Sequence, residues 1–342
     1  MEFHLHTQEQ VWEELSPSWR SLLSESIFPV PFLDPAYLKT WWQSMGGGEW
    51  PQQESKLAII TAQQGEELIG IAPLFSSAKP GQAEALHFIG AVEVSDYLDF
   101  IVRKEDLDAF LEGLLDFIQQ NPQLSSKSLD LENFIDSSPS LAALAQTAQR
   151  KGWHFEKEVL QPSPYIPLAA DFEAYLGGLD KKQRHEIRRK LRNAFNGHQT
   201  EWHFVEDPDN LAGELQAFTN MMRHEDDKNS FLKPEMEAFI HAAAKSFFEL
   251  GLLKLAFLTI DGEKAATFLS FLCCHKLLVY NSARADKWMP LSPGWVLLAK
   301  LIDWAISQGF SEVDMMRGDE GYKYKFGAVD RFVMRALLSP ET

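Results

Sequence analysis

A segment near the C-terminus collects side chains that can move a proton and stabilise a negative charge. Residues 318–327 read GDEGYKYKFG, which places two carboxylates, two tyrosines and two lysines together. Asp319 or Glu320 can accept a proton from an attacking nucleophile, and Tyr322 can donate a hydrogen bond. A neighbouring ammonium group can stabilise an oxyanion. A polar surface turn that closes a sheet has the same composition, so both interpretations stay open at this point.

A second candidate site is the sequence LSPGWVLL, which has the signals of a helix start. Ser292 can cap the helix, Pro293 suits its first turn, and Gly294 lets the backbone approach a ligand. Exposed amides and the helix dipole favour a phosphate there, although a plain capped helix has the same sequence. Arg284 and Trp288 precede this start and are able to pair with, or stack on, an adenine nucleotide.

The sequence also contains a run of positive charge. Seven cations lie between residues 181 and 192, with Glu186 as the one acid among them: Lys181, Lys182, Arg184, Arg188, Arg189, Lys190 and Arg192. So many like charges on one helix are destabilising unless acids or a polyanion neutralise them. The predicted partners are an acidic N-terminal domain, donor phosphates, or tRNA.

The third candidate is SDYLDF, in which Asp96, Tyr97 and Asp99 follow an apolar strand. A buried carboxylate is costly unless it is paired. These residues are therefore expected either to form an interdomain salt bridge or to bind an acceptor.

Composition restricts the class of protein. The 342 residues suggest two domains, and the net charge of −17 argues against broad binding to nucleic acid or anionic membranes. Residues 1–165 hold 10 basic and 24 acidic side chains, so a polyanion site is expected in the second half. With neither a leader pattern nor an apolar span, we expect a cytoplasmic chain without membrane insertion. Cys273 and Cys274 are expected to be core thiols in a reducing compartment.

An internal repeat predicts the architecture. Residues 57–75 and 254–272 superimpose as β-hairpins about Gly65 and Gly262. Each hairpin is followed by a strand (85–91 and 276–283), an amphipathic helix (106–120 and 292–308) and a short strand (127–134 and 311–318). The prediction is a mixed α/β fold of two domains, residues 1–163 and 164–342, that meet near the Pro-rich segment QPSPYIPL.

This order of elements resembles the GNAT (acyl-CoA N-acyltransferase) fold, present twice. Tandem copies are the architecture of the Fem peptidyltransferases and of CelD-like/BioF-type acetyltransferase-domain proteins. The resemblance is carried by SDYLDFI, by the basic run, and by the C-terminal segment from LSPGW to FGA. Within that segment, YKYKFG resembles the aromatic-Lys-x-x-Phe-Gly signature of Fem-like proteins.

The resemblance implies an acyltransferase that moves an acyl group, in the first place acetyl, from acyl-CoA to an amine of a small-molecule or sugar-type acceptor. It makes Lys323 the candidate for oxyanion or phosphate stabilisation, beside Asp319, Glu320 and Tyr322. The implied cofactor-binding residues are Ser292, Gly294, Trp295, Arg284 and Asn281. The implied substrate-binding residues, in a cleft between the two copies, are Asp96, Tyr97, Asp99, Arg317 and Lys325. No metal is implied.

One departure from the family pattern keeps alternatives open. Single-domain acetyltransferases hold the coenzyme A pyrophosphate with a Q/R-x-x-G-x-G/A loop, and ARADKWMPLSPGW stands in its place here. A Fem-like ligase that takes its acyl group from aminoacyl-tRNA, bound through the basic run at 181–192, is the first alternative. A non-catalytic scaffold or effector-binding protein of polysaccharide or envelope synthesis is the second.

Overall fold

The computed structural model describes residues 1–45, 54–91 and 93–340, and these residues form two compact units. The first unit consists of residues 1–162 and 331–342, and the second of residues 163–330. The predicted domains, 1–163 and 164–342, differ from these units in the last strand, which pairs inside the first unit. No helix in the described ranges combines the length and apolar character needed to cross a bilayer.

The first unit contains two sheets with flanking helices. Its helices are α1 (Val11–Glu25), α2 (Pro35–Met45), α3 (Leu107–Gln120) and α4 (Pro139–Lys151). Its strands are β1 (Glu2–His6), β2 (Lys56–Leu57), β3 (Ile59–Gln64), β4 (Glu67–Ala72), β5 (Leu74–Ala78), β6 (Glu84–Phe88), β7 (Ile101–Val102), β8 (Ser128–Ile135) and β9 (Trp153–Pro162). One sheet has the order β1-β3-β4-β7. The other has the order β2-β5-β6-β8, followed by the C-terminal strand of the chain and then β9.

The second unit contains one sheet. Its strands are β10 (Tyr165–Pro167), β11 (Thr200–Phe204), β12 (Leu253–Ile260), β13 (Glu263–Cys273), β14 (Lys276–Arg284) and β15 (Glu312–Asp314), in the order β10-β15-β14-β13-β12-β11. Its helices are α5 (Phe172–Gly178), α6 (Lys181–Phe195), α7 (Pro208–Met222), α8 (Asp226–Phe231), α9 (Pro234–Glu249), α10 (Pro293–Ser307) and α11 (Gly321–Lys325). The C-terminal strand, β16 (Phe332–Pro340), then completes the sheet of the first unit.

The predicted repeat is confirmed by the topology. Each unit has an antiparallel hairpin that turns at the expected glycine, β3–β4 at Gly65 and β12–β13 at Gly262. Each unit then has a parallel strand pair joined across a helix, β6–β8 through α3 and β14–β15 through α10. The two helices bury the apolar faces that the sequence predicts, because their apolar residues recur at helical spacing.

Strand β16 is held in the first unit by pairing on both edges and by a buried ion pair. It lies antiparallel to β8 on one side and to β9 on the other. Arg335 donates from Nε and Nη2 to the two carboxylate oxygens of Asp130, at 2.6 and 3.0 Å. Burial alone raises the pKa of Asp130, but hydrogen bonds from Arg335 and Lys79 outweigh it and lower the pKa below its ordinary value.

We predict that Arg335→Met weakens the first unit by about 3 kcal/mol, because it removes one partner of a carboxylate that is taken out of water. Hydrogen exchange of the β8 amides, measured by mass spectrometry, reports the free energy of local opening. Arg150→Met is the matched control, since Arg150 pairs with Glu112 at 2.8 Å while both side chains are nearly half exposed. The control should lose less than about 1 kcal/mol. Equal losses in the two variants would contradict the assignment of Arg335 as the anchor of β16.

Candidate functional site

The ammonium group of Lys323 is buried and surrounded by backbone oxygen atoms. Its side chain is 2% exposed, and Nζ donates to the carbonyls of Met316, Arg317 and Gly318 at 3.1, 2.8 and 3.0 Å. The carboxylate of Glu320 lies 2.9 Å from the same nitrogen. A lysine has three hydrogen-bond donors. In this structure those donors are used to position the chain, which favours a positioning role for Lys323.

The chain before Lys323 turns so that three successive carbonyls face one point. Met316 and Gly318 adopt positive φ angles of 57° and 106°, and the Met316 amide donates to the Asp314 carboxylate at 2.9 Å. Positive φ is unfavourable for a methionine. This turn ends β15 at Asp314, and it explains why the strand predicted at 311–318 is shorter in the structure.

The rest of the YKYKFG signature has a structural explanation too. Phe326 is fully buried, and its ring lies 4.8 Å from that of Trp295, while its carbonyl accepts a hydrogen bond from the Tyr175 hydroxyl at 2.7 Å. Gly327 has a φ of 81°, and a Cβ there would lie 2.6 Å from the Leu179 side chain. Only glycine fits this position without a shift of its neighbour.

Tyr322 places a hydroxyl among charged groups in the second unit. Burial, followed by the negative charges of Glu320 and Glu225, raises the pKa of Tyr322, and the nearby positive charge of Arg284 opposes this. The phenol is therefore neutral at pH 7 and keeps its proton for donation. Glu225 precedes α8, Arg284 ends β14 and Glu320 precedes α11, so three elements bring these charges together.

The first turn of α10 differs from the expected side-chain cap. Ser292 makes no side-chain cap and adopts a left-handed conformation, with φ 55° and ψ 53°. Its carbonyl accepts the amides of Trp295 and Val296 at 3.0 and 3.2 Å. The Gly294 amide has no acceptor within the described residues, and a Cβ at Gly294 would meet nothing within 4 Å. The predicted row of bare amides is thus reduced to that of Gly294, which lies in open space.

Two lysines flank the aromatic residue of this same turn. Lys190 Nζ of α6 lies 3.6 Å from the Trp295 ring centroid, and Lys325 Nζ of α11 lies 6.0 Å from it. Burial lowers the pKa of Lys190, the Glu186 carboxylate opposes this, and the positive charge of Lys325 adds to the lowering. Lys190 Nζ also lies 3.7 Å from a Glu186 carboxylate oxygen that Arg189 shares, so its charge is partly neutralised. Together with Lys325 and the free Gly294 amide, the group keeps a net positive charge that suits a phosphate or another anion.

The basic helix α6 is only partly neutralised. Arg188 pairs with Glu173, and Arg189 donates to both carboxylate oxygens of Glu186 at 2.9 and 2.7 Å. Both acids belong to the second unit. Cations of α6 that are exposed and lack an ion pair among the described residues are Lys181, Lys182 and Arg192.

The other predicted residues of the second unit lie around these elements. Asn281 is half-buried beside a β-bulge of β14, and its side-chain oxygen accepts the Ser282 amide at 2.8 Å. Asp319 is exposed, and Arg317 contributes its carbonyl to Lys323. Their roles toward a ligand stay predictions.

Asp96, Tyr97 and Asp99 lie in the first unit, and all three are buried. Burial raises the pKa of Asp99 to about 6, and hydrogen bonds from the Ser138 hydroxyl and the Phe100 amide lower it in part. These contacts are made within the unit. Acceptor recognition by these residues stays a prediction.

Sequence reasoning missed two contributors to the site. Lys190 was one member of a charge run, and nothing in the sequence indicates that it lies over Trp295, 105 positions later. Glu225 belongs to no motif of the sequence, and nothing in the sequence indicates that it lies near Tyr322. Among the residues that the structure describes, no group of three or more His, Cys, Asp and Glu side chains is arranged to hold a metal ion.

Comparison with protein families identifies the second unit. Residues 181–324 match the family model described as an acetyltransferase (GNAT) domain. This segment includes α6, the first turn of α10 and the chain as far as Tyr324. The second unit is therefore similar to a GNAT acetyltransferase domain over residues 181–324, and the predicted resemblance is confirmed. No curated protein sequence matches the chain.

Solved structures extend the likeness to the fold of the whole chain. The crystal structure of FemX is similar with a TM-score of 0.64 at 12% identity, covering 97% of each chain. The structure of L-PGS from Bacillus licheniformis has a TM-score of 0.54 at 13% identity, covering 98% of this chain and 93% of that one. Identities this low show the fold alone. The structural similarities confirm the predicted mixed α/β fold class and the Fem-like architecture.

We predict that Lys323→Met destabilises the second unit by about 3 kcal/mol or more, because it leaves three carbonyls without their donor at about 1–3 kcal/mol for each buried group. Thermal unfolding and hydrogen exchange of residues 315–318 measure the loss. Lys325→Met, two positions away and exposed, is the control and should leave both unchanged. A Lys323→Met protein as stable as the control would show that the ammonium group does not hold this turn.

Proposed function

We propose that the second unit transfers an acyl group from acyl-CoA to an amine of a small-molecule or sugar-type acceptor. The observation that carries this proposal is the electropositive first turn of α10, where Lys190 and Lys325 flank Trp295 beside the unsatisfied Gly294 amide. The GNAT domain match supports acyl transfer as the class of reaction. Acetyl is the acyl group we expect.

The two lysines explain how this chain can bind a pyrophosphate without the usual glycine-rich loop. A 3₁₀ helix at Asp286–Leu291 occupies the place where that loop would present several amides. In the first turn of α10, Gly294 is the residue whose amide has no acceptor among the described residues, so most of the attraction must come from charge. The ammonium groups of Lys190 and Lys325 supply two positive charges next to the positive end of the α10 dipole. Trp295 adds an apolar face against which the donor can pack.

The residues around Tyr322 suit the chemistry of the transfer. The acceptor nitrogen attacks the thioester carbonyl, and a tetrahedral oxyanion forms. The new C–N bond is present in this tetrahedral intermediate. When the intermediate collapses, the C–S bond breaks and the leaving thiolate takes a proton. We assign Tyr322 as the donor of that proton, because its phenol is protonated at pH 7 and belongs to the same segment as Glu320. We assign Glu320, with Asp319 as the nearby alternative, to accept the proton that the amine loses. Lys323 positions Glu320 through their 2.9 Å contact.

A second candidate function is a Fem-like transfer from aminoacyl-tRNA. The observation in its favour is the exposed cations of α6, Lys181, Lys182 and Arg192, which have no ion pair among the described residues. Phosphate contacts of this kind produce binding that falls steeply with salt. The net charge of −17 opposes it, because the long-range field of the chain repels a polyanion.

We predict that Lys190→Met raises the Kd for acetyl-CoA about tenfold, which corresponds to about 1.4 kcal/mol. Isothermal titration at low salt measures this change, and the difference should shrink as salt screens the charges. Lys300→Met is the matched control. This substitution also removes one positive charge, but from a lysine of α10 that is not beside Trp295. The Nζ atom of Lys300 lies 5.3 Å from the centroid of the Phe195 ring. Its Kd should stay within about twofold of the unmodified protein.

The same titration distinguishes the alternatives. Binding of charged tRNA without binding of acetyl-CoA or longer acyl-CoAs would select the Fem-like ligase. Binding of acetyl-CoA without turnover of any amine acceptor would favour an effector-binding protein. Equal Kd values for the Lys190 and Lys300 variants would remove the proposed donor site from α10.

We predict that Tyr322→Phe lowers kcat about 100-fold while the KM for the donor changes little, because it removes only the proton donor. Tyr324→Phe provides the control, since the Tyr324 hydroxyl donates to Asp330 at 2.7 Å and its side chain is exposed. Steady-state kinetics of both variants, with thermal unfolding to confirm their integrity, give the comparison. If both retain the same kcat, Tyr322 has no part in the proton transfer.

A further inference from the structure

The hairpin between β13 and β14 ends in two adjacent cysteines. Cys273 pairs with Lys276, and Cys274 and His275 form the two-residue turn between them, with φ angles of 51° and 59°. Turns of this kind favour Asn and Gly, because other residues tolerate positive φ poorly. Cys273 is half-buried and Cys274 is exposed, so the expectation of two core thiols is wrong. The turn presents the thiol pair at the surface of the second unit.

The two sulfur atoms are close and differ in protonation. The Cys273 thiol donates to Cys274 Sγ over 3.1 Å. This hydrogen bond lowers the pKa of Cys274 to about 7; burial opposes the shift and the charge of Lys276 adds to it. The same contact, followed by burial and the charge of Cys274, raises the pKa of Cys273. A nucleophilic thiolate therefore lies beside a protonated thiol.

The spacing selects the kind of partner that both sulfurs can bind at once. A disulfide needs Cα atoms about 4.4–6.8 Å apart, and adjacent residues are held at about 3.8 Å, so direct oxidation to a disulfide is strained. Tetrahedral zinc, with Zn–S bonds of about 2.3 Å, separates two sulfur ligands by about 3.8 Å. Trivalent arsenic is pyramidal and has a narrower S–As–S angle than tetrahedral zinc. The two sulfur ligands are therefore closer together, and their separation is nearer to the observed 3.1 Å.

We propose that Cys273 and Cys274 form a chelating dithiol site for a trivalent arsenical. The thiolate of Cys274 displaces one hydroxyl group from the arsenic of R–As(OH)₂, and the thiol of Cys273 displaces the second. Two As–S bonds form and two As–O bonds break. The proton of the Cys273 thiol leaves with one hydroxyl group as water, and the hydroxide displaced by the Cys274 thiolate takes a proton from the solvent. The oxidation state of arsenic does not change. This site is independent of the proposed acyl transfer.

The test uses phenylarsine oxide and the full chain. Intact-mass spectrometry should show one phenylarsenic group per chain, retained in excess glutathione and released by 2,3-dimercaptopropanol, because only a dithiol matches the chelate. Cys273→Ser and Cys274→Ser should each lower the apparent affinity at least about 100-fold, since the second bond forms at a high effective concentration. Thermal unfolding of both variants checks that the hairpin is intact.

Two outcomes would overturn the proposal. An adduct that glutathione removes from the unmodified protein would mean that arsenic is held by one thiol, and this result needs no variant. Equal retention by a single-cysteine variant would place the arsenic elsewhere. Titration of the arsenic-bound protein with acetyl-CoA is the independent readout for the proposed function, and the Kd for acetyl-CoA should be unchanged. If the untreated protein does not bind acetyl-CoA, the proposed transferase is refuted and the dithiol site is unaffected.

Discussion

A buried ammonium group that must be neutralised determines the shape of the site. A charge taken out of water is costly unless hydrogen bonds replace its hydration, and Lys323 obtains them from three successive carbonyls and the Glu320 carboxylate. This requirement forces the left-handed turn at Met316 and ends β15 early. It also fixes the start of α11, the short helix that contains both Tyr322 and Lys325. One structural interaction therefore positions Tyr322, Glu320 and Lys325, the residues to which we assign proton donation, proton acceptance and anion binding in the proposed function.

The electrostatics of the site are local and oppose the charge of the whole chain. The sequence has a net charge of −17, yet the first turn of α10 contains no acid and has Lys190 and Lys325 beside Trp295. Lys190 is partly buried, so solvent and salt screen it less than they screen the exposed cations of α6. A small anion is therefore attracted at short range, while a long polyanion also meets the repulsion of the acidic surface.

The sequence predicted most of the fold because local patterns determine it. The Asp261–Gly262 turn, the apolar spacing of α10 and the internal repeat were sufficient for the order of the elements. The location of β16 could not be predicted, because alternating apolar residues indicate a strand without indicating which sheet it joins; that choice depends on Asp130, about 200 positions away. The left-handed conformation of Ser292, which replaces the expected side-chain cap, and the burial of the Lys323 side chain depend on backbone angles that the residue types do not specify. For Asp99 the sequence left an interdomain salt bridge and acceptor binding open, and it did not indicate the hydrogen bonds that its carboxylate accepts from Ser138 and Phe100.

The duplicated fold contains two comparable helices, and their charges explain why we propose the anion site in the second unit. In both units a helix lies between the two strands of the parallel pair: α3 lies between β6 and β8, after the short strand β7, and α10 lies between β14 and β15. The N-terminus of each helix is the positive end of its dipole. At the start of α3 the residues are acidic: Asp106 flanks the helix and Asp108 lies in its first turn. Arg103 just before them is engaged by Glu25 and Glu67. Because these carboxylates repel an anion and occupy the nearest arginine, the start of α3 cannot serve as α10 does. The two copies share the order of their elements and differ in charge, and this difference favours the second unit for the proposed donor site.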